Sequence, residues 1–361
     1  MELASVLEGF SRRDWKTDPS GTLRFAIVGA GDWARTQALP GIQSAPHCEL
    51  SVIVTGDKSR AQQHINGSEQ YEFIDYQEYD SGKATELYDA VYVSTPNGTH
   101  LEHVRTAAVH GKAVLCEKPL EATVDRAEEL VNVCSQQDVP LMVAYRMHTN
   151  PSVRRARTLL QEGIIGTPVQ VVGNFTVDLL DTFPNPDQWR LNSDLVGPGT
   201  TLTDIGVYLI NTTRFLLDAS PSKVTAWGKS PNEAFDDLPD ERTSFMIKFD
   251  DGVQGSFIAS QNAYSDSQLK IIGTEGSLNF EPAFQMETDL TVERGGASAA
   301  FDSEWVNEMT EEFAYFADHV LSGTALYADG EHGLVDMYVV DALYEAIESG
   351  DPILVDSRKL A

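Results

Sequence analysis

The stretch LRFAIVGAGDWA, Leu23 to Ala34, decides the fold of the N-terminal part of this chain. An apolar run ends directly in glycines, and a helix-compatible segment, DWARTQALPGIQS, follows with Pro40 as an interruption. Gly29, Gly31 and Ala34 make a Gly-x-Gly-x-x-Ala turn, in which the first glycine permits the tight bend and the second lets a pyrophosphate approach backbone. The small third residue lets the helix pack on the sheet, and the intervening Asp32 and Trp33 share the loop. The pattern alone is weak and fits a plain glycine-rich turn. Its place between a first strand and a first helix points instead to dinucleotide binding.

Working outward, CELSVIVTG, YDAVYVSTP, KAVLCEKPL and VPLMVAYRMH read as further strands, and THLEHVRTAAVHG and VDRAEELVNVCSQQD as helices between them. Alternating units of this length predict a doubly wound parallel sheet covered on both faces, a Rossmann domain over residues 23–146. After the helix PSVRRARTLLQEGIIG the rhythm changes to PVQVVGNFTVD, SKVTAWGKS, TSFMIKFDDG, VQGSFIASQN, LKIIGTEGSLNF and DLTVER, strands joined by turns. Residues 147–361 therefore read as an α+β domain on a large open, mainly antiparallel sheet. Its last helices, in EWVNEMTEEFAYFADHVLSG and HGLVDMYVVDALYEAIESG, are candidates to pack back on the Rossmann domain. Residues 1–22 form an N-terminal arm suited to burying a cofactor or wrapping a neighbouring subunit. The open sheet needs covering, which predicts a homodimer or homotetramer formed through it.

The chain has 361 residues, of which 55 are acidic and 26 basic, for a net charge of −29. Self-repulsion of this size destabilises a compact state in dilute buffer, and molar salt screens it by shortening the Debye length to about 3 Å. Because the acids are spread along the chain, the pattern is that of a protein working in molar salt. It argues against a nucleic-acid partner, which needs a basic face. No long apolar run or secretory h-region is present, so no membrane association and a cytoplasmic location are expected. Cys48, Cys116 and Cys134 lack zinc or CxxC spacing and read as buried thiols, and no metal site is expected.

Cofactor choice turns on the end of the second strand, where an acid would accept hydrogen bonds from a ribose 2′-hydroxyl but repel a 2′-phosphate. Here Thr55 takes the acid's place, and Lys58, Ser59 and Arg60 follow as phosphate partners, which favours NADP over NAD. Asp57 is the competing residue, near enough to face the ribose. Lys118, in VLCEKPL, leaves the sheet at a strand's carboxyl end, where open α/β sheets keep their ligands. A surface lysine is the bland alternative. Asp204, Tyr208 and Asn211, at i, i+4 and i+7 in TDIGVYLIN, share one helix face.

The segments AIVGAGDWA, VSTPNGTH, VLCEKPL, AYRMHTNPSVR and TDIGVYLINTTRFLL, in this order and spacing, resemble the glucose-fructose oxidoreductase/inositol dehydrogenase (Gfo/Idh/MocA) family from Leu23 to the end. The resemblance implies an NADP-dependent aldose 1-dehydrogenase that oxidises a pyranose sugar to its lactone, with D-xylose favoured. It implies that Lys118, with Glu117 and a commonly cis Pro119, holds substrate by the nicotinamide, that Tyr208 accepts the proton, and that Asp204 and Asn211 hold sugar hydroxyls. Tyr208 stands where most of the wider family has histidine, and a neighbouring ammonium lowers a phenol's pKa. Thr95, Pro96, Asn97 and His100 are implied in cofactor contact, and Arg146, His148, Trp189 and Arg190 beside substrate and NADP. The competing readings are a sugar-ketone reductase, a diol dehydrogenase and a non-catalytic dinucleotide sensor.

Overall fold

The computed structural model describes residues 10–355 except 12, 66, 186 and 302–304, so the first nine residues of the expected arm lie outside the described part. The chain divides into two compact units, one holding residues 15–146 and 307–334, the other the described residues up to Asp14 together with 147–306 and 335–355.

In the first unit, β1 (Leu23–Val28), β2 (Cys48–Val54), β3 (Glu72–Ile74), β4 (Ala90–Val93), β5 (Ala113–Glu117) and β6 (Leu141–Ala144) form a sheet in the order 3-2-1-4-5-6. All five pairings are parallel. Every residue of β4 and β6 is buried, as are four of the five in β5, which is why their sequences run apolar without alternation. β3, only three residues long, had no run to announce it. The helix Glu308–Ser322 belongs to this unit, and Phe25 of β1 meets its Phe313 edge-on with ring centroids 5.4 Å apart. A side chain at Gly41 would place its Cβ 2.9 Å from Met309 Cβ, so glycine there permits this helix to seat. Burying an aromatic ring in such a contact contributes roughly 1.5–3 kcal/mol.

The second unit is built on β7 (Pro168–Asp178), β8 (Pro221–Lys229), β9 (Arg242–Phe249), β10 (Gln254–Ser260), β11 (Asn262–Gly273), β12 (Gly276–Phe280), β13 (Leu290–Arg294), β14 (Ala297–Phe301) and β15 (Ile353–Leu354). Their order is 14-13-12-11-7-10-9-8-15, antiparallel except for the β7–β10 pair. Strict alternation of buried and exposed residues along β9 marks a one-sided sheet. The almost wholly buried helix Val207–Leu217 packs against β7. The other face leaves Trp227, Met246, Ile258 and Val172 exposed.

The described arm is held by its own chain. Trp15 Nε1 donates to Asp318 at 2.9 Å in the first unit, whereas in the second Phe10 meets Phe301 edge-on and Asp14 pairs with Arg154. None of the three cysteines is in a disulfide, and burial pushes the Cys134 thiol up to about 12. Among the described residues no helix is long and apolar enough to cross a membrane, and no cluster of three or more His, Cys, Asp or Glu is placed to hold a metal.

Candidate active site

The turn after β1 has the geometry its glycines predict. Gly29 sits at φ +98°, and a Cβ there would lie 2.5 Å from the Ser94 carbonyl oxygen, so only glycine lets β1 and β4 end together. At Gly31 a Cβ would meet nothing within 4 Å, which leaves open space against backbone where a pyrophosphate fits. The following helix starts as a π-turn, Ala34–Ala38, before continuing as Leu39–Ser44. That wider turn lets the segment reach Pro40, which lacks an N–H, without a break. Asn97, in the loop after β4, buries an amide nitrogen that has no hydrogen-bond partner among the described residues.

Beyond β2 the expected phosphate partners separate. Asp57 caps the helix Lys58–His64 by accepting from the Arg60 N–H at 2.9 Å, which occupies the carboxylate that competed for the ribose. Thr55 is buried, its hydroxyl 3.4 Å from the Asp57 N–H. Lys58 is a correction to the sequence reading: its ammonium pairs with Glu78 at 2.8 Å and Asp75 at 3.4 Å. With Lys83 it draws Glu78 down to about 2. The ammonium thus neutralises the capping box of the helix Tyr76–Asp80, which no local motif betrayed. Ser59 and Arg60 are exposed, and among the described residues no hydrogen bond engages the Arg60 guanidinium.

At the end of β5, Lys118 and Pro119 are joined by a cis peptide bond. Glu117 accepts from Trp33 Nε1 at 3.1 Å and from the Tyr92 hydroxyl at 2.5 Å, and its other oxygen accepts the Lys118 N–H at 3.2 Å. Thr95 and Pro96 are half-buried, and Thr95 Oγ1 accepts from Thr99. His100 is a second correction. It is fully buried with its ring nitrogens 3.1 and 2.9 Å from the Leu120 and Thr95 carbonyls, so it staples two loops and is closed to a cofactor. Arg146 buries its guanidinium and pairs through Nη1 with Glu308 of the helix Glu308–Ser322, a structural contact the sequence reading did not foresee.

In the second unit, the segment Thr200–Leu217 is anchored at its start by Asp240, which accepts from the Thr200 and Leu202 N–H groups at 2.9 Å each and from Tyr344 at 2.7 Å. A carboxylate at a helix N-terminus is favourable. Asp204 lies in a π-turn, Leu202–Gly206, an irregularity common at functional sites. It accepts from Arg190 Nε at 2.9 Å and from Gln261 Nε2 at 3.0 Å. The structure thus joins two expected residues, and Gln261, at the β10–β11 junction, joins them unforeseen, since the polar run Ser260–Asn262 reads as an ordinary strand end. The Arg190 guanidinium also stacks on Phe183 and Trp189, each ring 4.6 Å away, and Trp189 packs on a small apolar cluster.

Tyr208 is half-buried, edge-on to Phe175 at 5.6 Å. The other two members of the expected constellation turn to structural partners. Asn211 is buried and donates to Asp336 at 2.6 Å, an acid that also takes Arg214, and His148 is buried in a parallel stack on Phe215 at 4.2 Å.

Residues 23–145 match the model of the oxidoreductase family with an NAD-binding Rossmann fold, and residues 153–279 match the GFO/IDH/MocA C-terminal domain. The chain is 45% identical over 361 residues to D-xylose 1-dehydrogenase [NADP(+)] of Haloarcula marismortui, covering 99% of this chain and 100% of that one. It is 29% identical to D-xylose 1-dehydrogenase (NADP(+)) 2 of Haloferax volcanii over 92% of this chain and 100% of the relative. Among solved structures, an aldose-aldose oxidoreductase from Caulobacter crescentus complexed with glycerol superposes with a TM-score of 0.85 at 26% identity, over 92% of this chain and 99% of that one. With both family models matched in sequence and a relative aligned from end to end, the chain belongs to the Gfo/Idh/MocA family of oxidoreductases.

Proposed function

We propose that this protein is an NADP-dependent aldose 1-dehydrogenase that oxidises a pyranose, D-xylose before others, to its lactone. The observation that carries the reading is the full-length likeness to a D-xylose 1-dehydrogenase [NADP(+)], supported by a cofactor turn that suits the phosphorylated dinucleotide. Gly31 leaves backbone open to a pyrophosphate, Asp57 is used as a cap, and exposed Arg60 is left as the cation for a 2′-phosphate. The bound cofactor supplies the hydride acceptor. The chain's own residues handle the proton: Tyr208 takes it from the anomeric hydroxyl, and the Lys118 ammonium stabilises the negative charge on that oxygen. Arg190 and Gln261 orient Asp204 so that its carboxylate receives a sugar hydroxyl. Exposed Trp227, Met246, Ile258 and Val172 on the open sheet suit a second copy of the chain.

Product analysis tests this. D-xylose and NADP incubated with the protein in molar KCl should yield a lactone that hydrolyses to the aldonic acid, with one reduced cofactor per sugar. A ketone or diol product, or cofactor binding without turnover, would replace the proposal with the reductase, diol dehydrogenase or sensor reading.

A further inference from the structure

The hydrogen bonds around Glu117 link the cofactor turn to the strand end that carries Lys118. Trp33, the fifth residue of the Gly29–Ala34 turn, donates through Nε1 towards both the Tyr92 hydroxyl, at 3.0 Å, and Glu117 Oε1, at 3.1 Å. Tyr92, fully buried in β4, donates to the same oxygen at 2.5 Å. Glu117 Oε2 then accepts the Lys118 N–H at 3.2 Å. The three side chains come from the turn after β1, from within β4 and from the end of β5, three adjacent strands, so one carboxylate ties the turn, the middle strand and the lysine's own peptide. Burial and the nearby Glu117 charge raise the Tyr92 phenol far above its usual value, which keeps it a donor.

We infer that Trp33 and Tyr92 are positioning residues for Lys118, acting through Glu117, and that the turn which receives the dinucleotide is thereby coupled to the lysine that receives the sugar. The inference rests on the assignment of Lys118 to the reaction. Nothing in ordinary packing requires a buried tyrosine to spend its hydroxyl on a carboxylate that also holds a neighbouring strand's exit, when phenylalanine would fill the same volume. A carboxylate that accepts two donors on one oxygen and a backbone N–H on the other has little freedom to rotate, which fixes the direction in which the chain leaves β5.

Tyr92→Phe and Lys118→Ala, singly and combined, test this, with kcat, sugar KM, NADP affinity by fluorescence titration and melting temperature measured for each. Tyr92→Phe should lower kcat by about ten-fold or more, with NADP affinity within about two-fold and a folded protein. In the Lys118→Ala background it should lower kcat no further, because its effect runs through the lysine. Trp33→Phe, which keeps the ring and removes the donor, should give a smaller loss in the same direction and is the second variant should Tyr92→Phe fold poorly. Wild-type kcat in both Tyr92→Phe and Trp33→Phe, with Lys118→Ala inactive, would overturn the positioning role and leave the lysine's role standing. Losses that multiply in the double variant would also overturn it. An active Lys118→Ala enzyme would instead sink the underlying assignment of the lysine.

Discussion

Two π-turns adjoin residues of the proposed site, Ala34–Ala38 after β1 and Leu202–Gly206 at the start of the long buried helix, and their surroundings are built in opposite ways. At the first, contiguous residues make the geometry: Gly29 bends, Gly31 stays open and Trp33 reaches across to β4 and β5. At the second, the chemistry is assembled from a distance, since Asp204 is held by Arg190 and Gln261 and the helix start by Asp240 and Tyr344. A backbone-defined site is robust to side-chain change but needs its glycines. A side-chain-defined site can be retuned one residue at a time.

The largest test of that contrast falls on the proposed proton acceptor and its cation. Tyr208→Phe should retain NADP binding and fold while kcat drops by roughly 10² to 10⁴, the usual worth of a general base. Lys118→Ala should lose at least as much, and the double variant should be little worse than the poorer single one, because the two act as a unit. A Tyr208→Phe enzyme within a few-fold of wild type in steady-state kinetics would move the base elsewhere.

The next effect sharpens the cofactor half. Arg60→Ala should weaken NADP by roughly 1.5–3 kcal/mol, about ten- to a hundred-fold in affinity, and leave NAD nearly unchanged in parallel titrations. Lys58→Ala should not discriminate the two dinucleotides, since its ammonium serves Glu78 and Asp75. Equal losses for NADP and NAD in Arg60→Ala would remove the arginine from phosphate recognition.

The same contrast explains what the sequence could reveal. The parallel sheet was legible because buried strands must be apolar throughout, and the cofactor turn because glycine spacing is a local requirement. Lys58 was misread because its partners, Asp75 and Glu78, cap a different helix. His100, Arg146, Asn211 and His148 were given ligand contacts by the family resemblance, and the fold buries each against carbonyls, Glu308, Asp336 or Phe215. A sequence states that a polar group exists; only the fold states whether another buried group has already taken it. Gln261 and Tyr92 failed in the opposite direction, one at a strand junction and the other inside a strand of apolar neighbours.

Smaller effects concern charge. With a net charge of −29, the melting temperature should climb by several degrees from dilute buffer to molar KCl, as the Debye length falls from about 10 Å at 0.1 M to about 3 Å at 1 M. Equal melting points in both by calorimetry would contradict adaptation to salt. Glu312, fully buried with no hydrogen-bond partner for its carboxyl among the described residues, is pushed well above the carboxylate range by burial and by Glu117 and Glu308, against the pull of Arg146. The folded state holds that proton more tightly than the unfolded chain, so stability is lost as pH rises from the ordinary carboxylate range through the raised folded value. Glu312→Gln should therefore match wild type in acid and melt higher by about 2 °C or more on the alkaline side, in a melting series across pH.

The most direct measurement is kcat/KM for NADP and for NAD, each at saturating D-xylose and in molar KCl, followed by the absorbance of the reduced nicotinamide. The account predicts turnover with both sugar and cofactor as named, and a preference for NADP of about ten-fold or more, set by one charge-assisted contact. No turnover of any aldose with either dinucleotide, or a preference for NAD, would contradict it.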